Sequence, residues 1–236
     1  AGLTTSGAEG DTVRNITGCP VAGLTAEEPF DVTPVIRDVA EHFYGNLDFS
    51  NLPRKHKYTI SGCPAQCNAP EISDVALIAT LKDGRQGFGL RVGGGMANTP
   101  RIARDLEVFI PVEETVETLA AVTNAWAKDL RYRVSRARAR IKFMMDDYGP
   151  EGVRTKVEEQ LGRALEDGPA SLPASDDDHI GVHAQRQPGL SYIGVPVPSG
   201  RVTGTLLGKL ASFAEEVEGD VRFTRQQNFI LANVPD

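Results

Sequence analysis

Cysteine is scarce in this chain, three in 236 residues. An odd number cannot be paired off into a disulfide framework, so the sequence reads as that of a protein from a reducing compartment. Long apolar runs are missing as well. Nothing approaches the roughly 20 consecutive apolar residues that cross a bilayer. The opening AGLTTSGAEGDTVRN has neither the basic nor the apolar region of a signal peptide, and none is expected. Positive charge is in deficit, 25 Lys and Arg against 32 Asp and Glu for a net charge of −7, which disfavours broad nucleic-acid binding. What remains, 40% hydrophobic and 24% charged, is the composition of an ordinary cytoplasmic enzyme, long enough for one large domain or two modest ones.

Chemistry concentrates in LPRKHKYTISGCPAQC, residues 52–67. An alternating pattern puts Lys55, Lys57 and Thr59 on one face of a strand and His56, Tyr58 and Ile60 on the other. Side chains two apart on a strand lie roughly 7 Å apart, so two ammonium groups can converge on one small anion. Just beyond, Cys63 and Cys67 set two thiols in a tight turn, where they are candidate metal ligands. Taken alone, a Lys-x-Lys pair fits a solvated strand face equally well, and two thiols four apart fit unpaired cysteines. Arg14 falls in DTVRNITGC, which reads as a polar loop.

The rest of the chain alternates helices and strands. Thr33-Pro34 opens a helix with a capping hydroxyl and a first-turn proline; Ile36, Val39 and Phe43 recur at helical spacing and Gly45 closes it. SDVALIATLK (73–82) and GFGLRV (87–92) read as strands about an Asp83-Gly84 turn. Gly93, Gly94 and Gly95 either admit a bulky ligand or form a loop. Pro111 opens a long helix with Val112, Val116, Leu119, Val122, Trp126 and Leu130 along one stripe. The next helix carries Arg131, Arg133, Arg136, Arg138, Arg140 and Lys142 over an apolar stripe of Val134, Ala137, Ile141, Met144 and Tyr148. No aromatic interleaving supports nucleic-acid binding there, so the basic face is expected to meet an anionic cofactor or solvent. A third helix follows from about Pro150. EDGPASLPASDDD has linker composition. Beyond it a strand at 190–196, a helix at 203–217 with Leu206, Leu210, Phe213 and Val217 inward, and two further strands make a β-α-β unit too short to bury its sheet alone.

Together, DTVRN at 11–15, LPRKHK at 52–57, the glycine run at 93–95 and RFTRQQNFIL at 222–231 resemble the sirohaem-dependent nitrite and sulfite reductases. The block IGVHAQRQPGLSYIGVPVPSGRV at 180–202 is similar to the ferredoxin-like half-domain of that family. The resemblance implies an α+β fold: a nitrite/sulfite reductase-like mixed α/β domain at 1–166, the first repeat of an internal duplication, a linker at 167–179, and a ferredoxin-like β-α-β half-domain at 180–236. It also implies a fragment, inactive in isolation, of an oxidoreductase that reduces sulfite to sulfide or nitrite to ammonia. Such enzymes take six electrons from a donor such as ferredoxin and use sirohaem coupled to a [4Fe-4S] cluster.

Carried over residue by residue, the resemblance makes Arg14 a holder of the oxyanion and points Lys55 at the substrate pocket. Lys57 stands where sulfite-reducing members tend to have lysine and plant-type nitrite reductases asparagine, which favours sulfite. Arg222, Arg225, Gln227 and Asn228 fall in the block expected beside the macrocycle. Cys63 and Cys67 have the Cys-x3-Cys spacing of one ligand pair of the family but stand in the other half, and Cys19 has no partner six positions away. A [4Fe-4S] cluster takes four thiolates, so its main ligands are expected beyond Asp236, with Cys63 and Cys67 as further candidates. The alternatives are a ferredoxin-nitrite reductase, a non-catalytic scaffolding half of the duplicated enzyme, and a thiol-redox or iron–sulfur carrier using Cys63 and Cys67.

Overall fold

The computed structural model describes residues 7–171, 173–175 and 178–236. Among these, strands β1 (Val13–Thr17), β2 (His56–Ser61), β3 (Val75–Lys82), β4 (Arg85–Val92), β5 (Arg104–Asp105), β6 (Val108–Pro111) and β7 (Glu166–Asp167) form one mixed sheet. β1, β2 and β3 are parallel neighbours, whereas β4, β6 and β7 follow antiparallel and β5 pairs beside β4. The helices are α1 (Thr33–Phe43), α2 (Thr115–Ala127), α3 (Arg131–Val134) and α4 (Lys142–Leu161). Alternation in the strands meets helical periodicity in a single core: Tyr58, Ile60, Leu77 and Leu90 pack with Leu119, Trp126, Val153 and Val157. His56 joins them fully buried, its ring stacked 5.1 Å from that of Trp126. Burial lowers its pKa to about 3, so it is a neutral core residue.

Several expectations change. Arg14 lies in β1, not in a loop; a bulge between Val13 and Asn15 breaks the alternation that would have marked the strand. The Thr33 hydroxyl is not the cap of α1: Val32 occupies that position, and Asp31 Oδ1 accepts from the Thr33 N–H at 2.8 Å. The basic segment is not one helix. It breaks at Ser135 (φ −134°, ψ 121°), so α3 and the turn Arg136–Arg138 are out of phase, and Leu130 and Val134 face solvent. α4 instead merges the end of that segment with the third expected helix, across a kink at Gly149 (φ 67°, ψ 177°) before Pro150.

The second sheet is built from β8 (Gly181–Ala184), β9 (Leu190–Val195), β10 (Asp220–Phe223) and β11 (Phe229–Pro235), all antiparallel in the order β10-β11-β9-β8. With α5 (Gly204–Glu216) between β9 and β10 the unit is β-β-α-β-β rather than β-α-β. β8, Gly-Val-His-Ala, is too short to show a period. Leu206 and Phe213 are exposed and Leu210 and Val217 half-buried, contrary to their expected inward placement; among the described residues of α5, Ala214 is the buried one. The helix packs on β10, and its apolar stripe exceeds what four short strands can cover.

A polar seam joins the two sheets. Arg186 N donates to Leu24 O at 2.7 Å, Gln187 Nε2 to Gly23 O at 2.8 Å and Arg222 Nη1 to Ala22 O at 2.7 Å. Glu28 is buried at this seam, with Oε1 accepting from Gly23 N–H at 2.8 Å and lying 3.4 Å from Arg186 Nη1. Desolvation raises its pKa from 4.5 to about 7, against the opposing pull of the Gly23 bond and Arg186. Above its ordinary range the unfolded chain has released this proton while the folded chain keeps it. The contribution of Glu28 to stability is therefore complete below about pH 4.5 and lost as pH rises through about 7, roughly 3 kcal/mol in all. Urea titrations at about pH 5 and about pH 8 should show most of that loss in the wild type and not in Glu28→Gln.

Among the described residues, no helix is long and apolar enough to cross a membrane.

Candidate functional site

The start of β2 carries Lys55 and Lys57 to one concavity of about 180 Å³, which Arg140 also lines along with Ile72, Gly95, Met96 and Ala97. Both lysines therefore border the same hollow, Lys55 half-buried and Lys57 exposed. Parallel pairing sets Asn15 of β1 beside Lys57 and so brings Arg14 close. Burial lowers the Lys55 pKa, and the charges of Arg140, Lys57 and Arg14 lower it further, with Asp74 opposing. Three cations from two parts of the chain thus line one small space, and Lys55 also feels the charge of Arg14 on β1. An anion placed there relieves their mutual repulsion.

Behind the cations lies one buried carboxylate. Asp74, fully buried at the head of β3, accepts on Oδ1 from Arg140 Nε at 2.9 Å and Nη2 at 2.6 Å. Its Oδ2 has no partner among the described residues. Desolvation raises the pKa of Asp74, opposed by the Arg140 guanidinium. This pair neutralises Arg140 and fixes its direction; Lys55 and Lys57 feel the same carboxylate, and no acidic side chain is among the described residues that line the cavity. Arg14 Nε donates to Gly10 O at 2.8 Å, and its side chain borders a separate hollow between the start of β1 and the end of α1.

The glycine run makes the approach possible. Gly93 has φ +94°, and a Cβ on Gly94 would stand 2.5 Å from Ser73 O and 2.7 Å from Glu71 O. Only glycine lets this strand end lie against the backbone before Asp74, where Gly93 N–H bonds Asp74 O at 2.8 Å. Lys142 Nζ, on a buried side chain, donates to Asn98 O at 2.9 Å and Thr99 O at 2.8 Å. It thereby holds the loop that supplies Met96 and Ala97 to the cavity.

The half-domain residues sit elsewhere; none of them lines the cation cavity. Arg222 braces the seam through Ala22 O and lies 3.2 Å from Asp220 Oδ2. Asn228 Oδ1 accepts from Val197 N–H at 2.8 Å, and Arg225 and Gln227 are exposed in the turn between β10 and β11. Gln226 Nε2, not singled out by the sequence, donates to Cys67 O at 2.7 Å and ties that turn to the thiol loop. Asp74 and Arg140 were also missed. The signal for Arg140 was the run of arginines before Lys142, which gave the sign of the surface but not which residue turns inward.

Cys63 is buried and faces Cys19, Sγ to Sγ 3.7 Å, and His179, Sγ to Nε2 3.5 Å. The hydrogen bond with Cys63 lowers the Cys19 pKa to about 7 against its burial, and the same neighbour together with desolvation raises that of Cys63. Among the described residues, no group of three or more His, Cys, Asp or Glu side chains is placed to hold a metal ion. With three cysteines, this chain does not by itself supply the four thiolates of a [4Fe-4S] cluster.

Residues 9–165 match the family model described as the nitrite and sulphite reductase 4Fe-4S domain, and 183–236 match the nitrite/sulfite reductase ferredoxin-like half domain. The chain is 40% identical to "Sulfite reductase [ferredoxin] 2" of Mycolicibacterium paratuberculosis, over 100% of this chain and 42% of the relative. It is 37% identical to "Ferredoxin--nitrite reductase" of Synechococcus elongatus, over 100% of this chain and 47% of the relative. The solved structure of the Mycobacterium tuberculosis NirA protein superposes with a TM-score of 0.92 at 38% identity, over 100% of this chain and 43% of that one. The chain spans less than half the length of these relatives. With both of its parts matched, the chain belongs to the nitrite and sulphite reductase family.

Proposed function

We propose that this chain is the oxyanion-gripping part of a sirohaem-dependent reductase that converts sulfite to sulfide or nitrite to ammonia, with sulfite favoured. The reading rests on one observation, the cavity in which Lys55, Lys57 and Arg140 converge with the charge of Arg14 nearby. A site that crowds cations with a single buried counter-ion suits a cofactor rich in carboxylates and a small oxyanion substrate. When bound, sirohaem with its [4Fe-4S] cluster would relay the donor's electrons and supply the redox-active iron for the reduction.

The residues of this chain then have separate tasks. Lys57, exposed at the rim, draws in the anion. Lys55, whose pKa is lowered, holds the oxyanion and releases a proton to it more readily than an ordinary lysine as S–O or N–O bonds break. Arg14 adds charge from β1, and Arg140, fixed by Asp74, supplies a planar donor that cannot deprotonate. Arg225 and Gln227, exposed in their turn, are the half-domain residues left to contact the macrocycle, with Arg222 and Asn228 holding that turn in place. The ligands of the cluster belong to other parts of the intact protein.

The proposal assigns 1–166 to the first sirohaem/iron–sulfur-type repeat, 167–179 to the linker and 180–236 to the half-domain, whose exposed α5 stripe another segment of the intact protein covers. It places the protein in the cytoplasm with ferredoxin as electron donor. The intact protein purified after sirohaem supplementation should show the visible bands of a reduced isobacteriochlorin and lose much of that absorbance in Lys55→Ala/Lys57→Ala/Arg140→Gln. Absence of the bands from the wild type overturns the reading.

A further inference from the structure

We propose that Cys19 and Cys63 are a redox-active pair, which a small hydroperoxide oxidises to an intrachain disulfide. Three thiols do not make the four-thiolate set of a cluster, and the placement of Cys19 and Cys63 has a specific chemical use. Cys19 follows β1 and Cys63 follows β2, parallel neighbours whose loops leave the sheet at the same edge. Their sulfurs are 3.7 Å apart. A disulfide needs about 2.0 Å, so a closure of roughly 1.7 Å is required. Cys63 stands at the head of a turn closed by Gln66 N–H on Cys63 O, where a side-chain rotation disturbs no strand pairing.

Access and proton transfer are both provided. Cys63 lines a hollow of about 520 Å³ between the sheet and Pro169, Ala170, Ser171 and Pro173, bordered by Gly62, Pro64, Gln66 and Ile78 and uncharged throughout its described lining. A neutral peroxide can enter where an anion is not attracted. His179 Nε2 lies 3.5 Å from Cys63 Sγ, and its Nδ1 is held 3.2 Å from Tyr192 Oη, so an oriented imidazole stands ready to take the thiol proton.

The reaction balances in two displacements. One sulfur, as thiolate, attacks an oxygen of hydrogen peroxide; the O–O bond breaks and the departing hydroxide takes the thiol proton to leave as water. The resulting sulfenic acid is attacked by the second sulfur; the S–S bond forms, the S–O bond breaks, and a second water leaves with the other thiol proton. Two thiols are oxidised by two electrons and one peroxide is reduced. The closure draws the Cys63 sulfur away from His179 and so removes one tie across the seam to the half-domain.

The intact protein is treated with hydrogen peroxide, alkylated, digested without reductant and mapped by mass spectrometry. The expected result is a cross-linked peptide containing Cys19 and Cys63, lighter than the sum of its parts by two hydrogen atoms and abolished by dithiothreitol. Alkylation of Cys19 and Cys63 should fall together with peroxide dose, and in Cys19→Ala the Cys63 sulfur should advance to sulfinic acid instead. A Cys63–Cys67 link, independent over-oxidation of Cys19 and Cys63 in the wild type, or full alkylation of both at peroxide doses that oxidise surface methionine each overturns the proposal.

Discussion

Replacing Lys55 with alanine in the intact protein is expected to lower kcat/KM for sulfite by about 10²- to 10³-fold, with little change in folding. In a partly desolvated site a charge pair at ~4 Å is worth on the order of 4 kcal/mol before desolvation, and a net of about 3 kcal/mol corresponds to that loss in rate. Half-buried Lys55 is the lysine held in the cavity, whereas Lys57 is exposed and more strongly screened by water. Lys57→Asn should therefore act mainly on selectivity. A dianion loses about twice the attraction that a monoanion loses when one cation is removed, so at mildly alkaline pH the preference for sulfite over nitrite should fall about 10-fold. Steady-state rates with both substrates and one electron donor decide this. Turnover unchanged in Lys55→Ala would return the chain to the role of a scaffold, and an unchanged substrate preference in Lys57→Asn would remove the reason for ranking sulfite first.

The second large effect concerns stability. Asp74→Ala should destabilise the protein by about 3–5 kcal/mol, because it leaves the mostly buried Arg140 guanidinium without its counter-charge. The unfolding midpoint in urea should fall in proportion, with the slope of the transition unchanged. Asp74→Asn keeps an acceptor for the Arg140 donors and should be milder, yet it adds a net positive charge behind the cavity. Its expected signature is a less stable protein that holds inorganic anions more tightly, and its sulfite affinity read by direct titration tests that reversal. Removing Arg140 as well, in Asp74→Ala/Arg140→Leu, should restore part of the lost stability, since both ends of the buried pair are then absent.

Much of this arrangement was legible in the residues. The alternation of HKYTI announced a strand with one lysine-bearing face, and His56, Tyr58 and Ile60 do point into the core. Asp83-Gly84 marked the hairpin between β3 and β4. The unit after the linker was read as too short to bury its sheet with Leu206 and Phe213 inward, whereas Ile230, Leu231 and Ala232 of the sheet are buried and Leu206 and Phe213 of the helix are exposed. The failures have local causes: a bulge hid β1, a break at Ser135 put the arginine stripe out of phase, and β8 was too short to display a period.

By itself the sequence determined the elements whose hydrophobic period runs unbroken and the place of Lys55 and Lys57 on one strand face, because these are written in residues close together along the chain, and the family, because its blocks follow one another in a set order. The tertiary structure alone decided that Arg140 shares their cavity, that Asp74 anchors it from 66 residues away, and that Cys63 meets Cys19 across 44 residues. The physical reason is that charge pairing and sulfur contact depend on distance through space. Strand order and helix breaks set that distance, and spacing along the chain does not encode them.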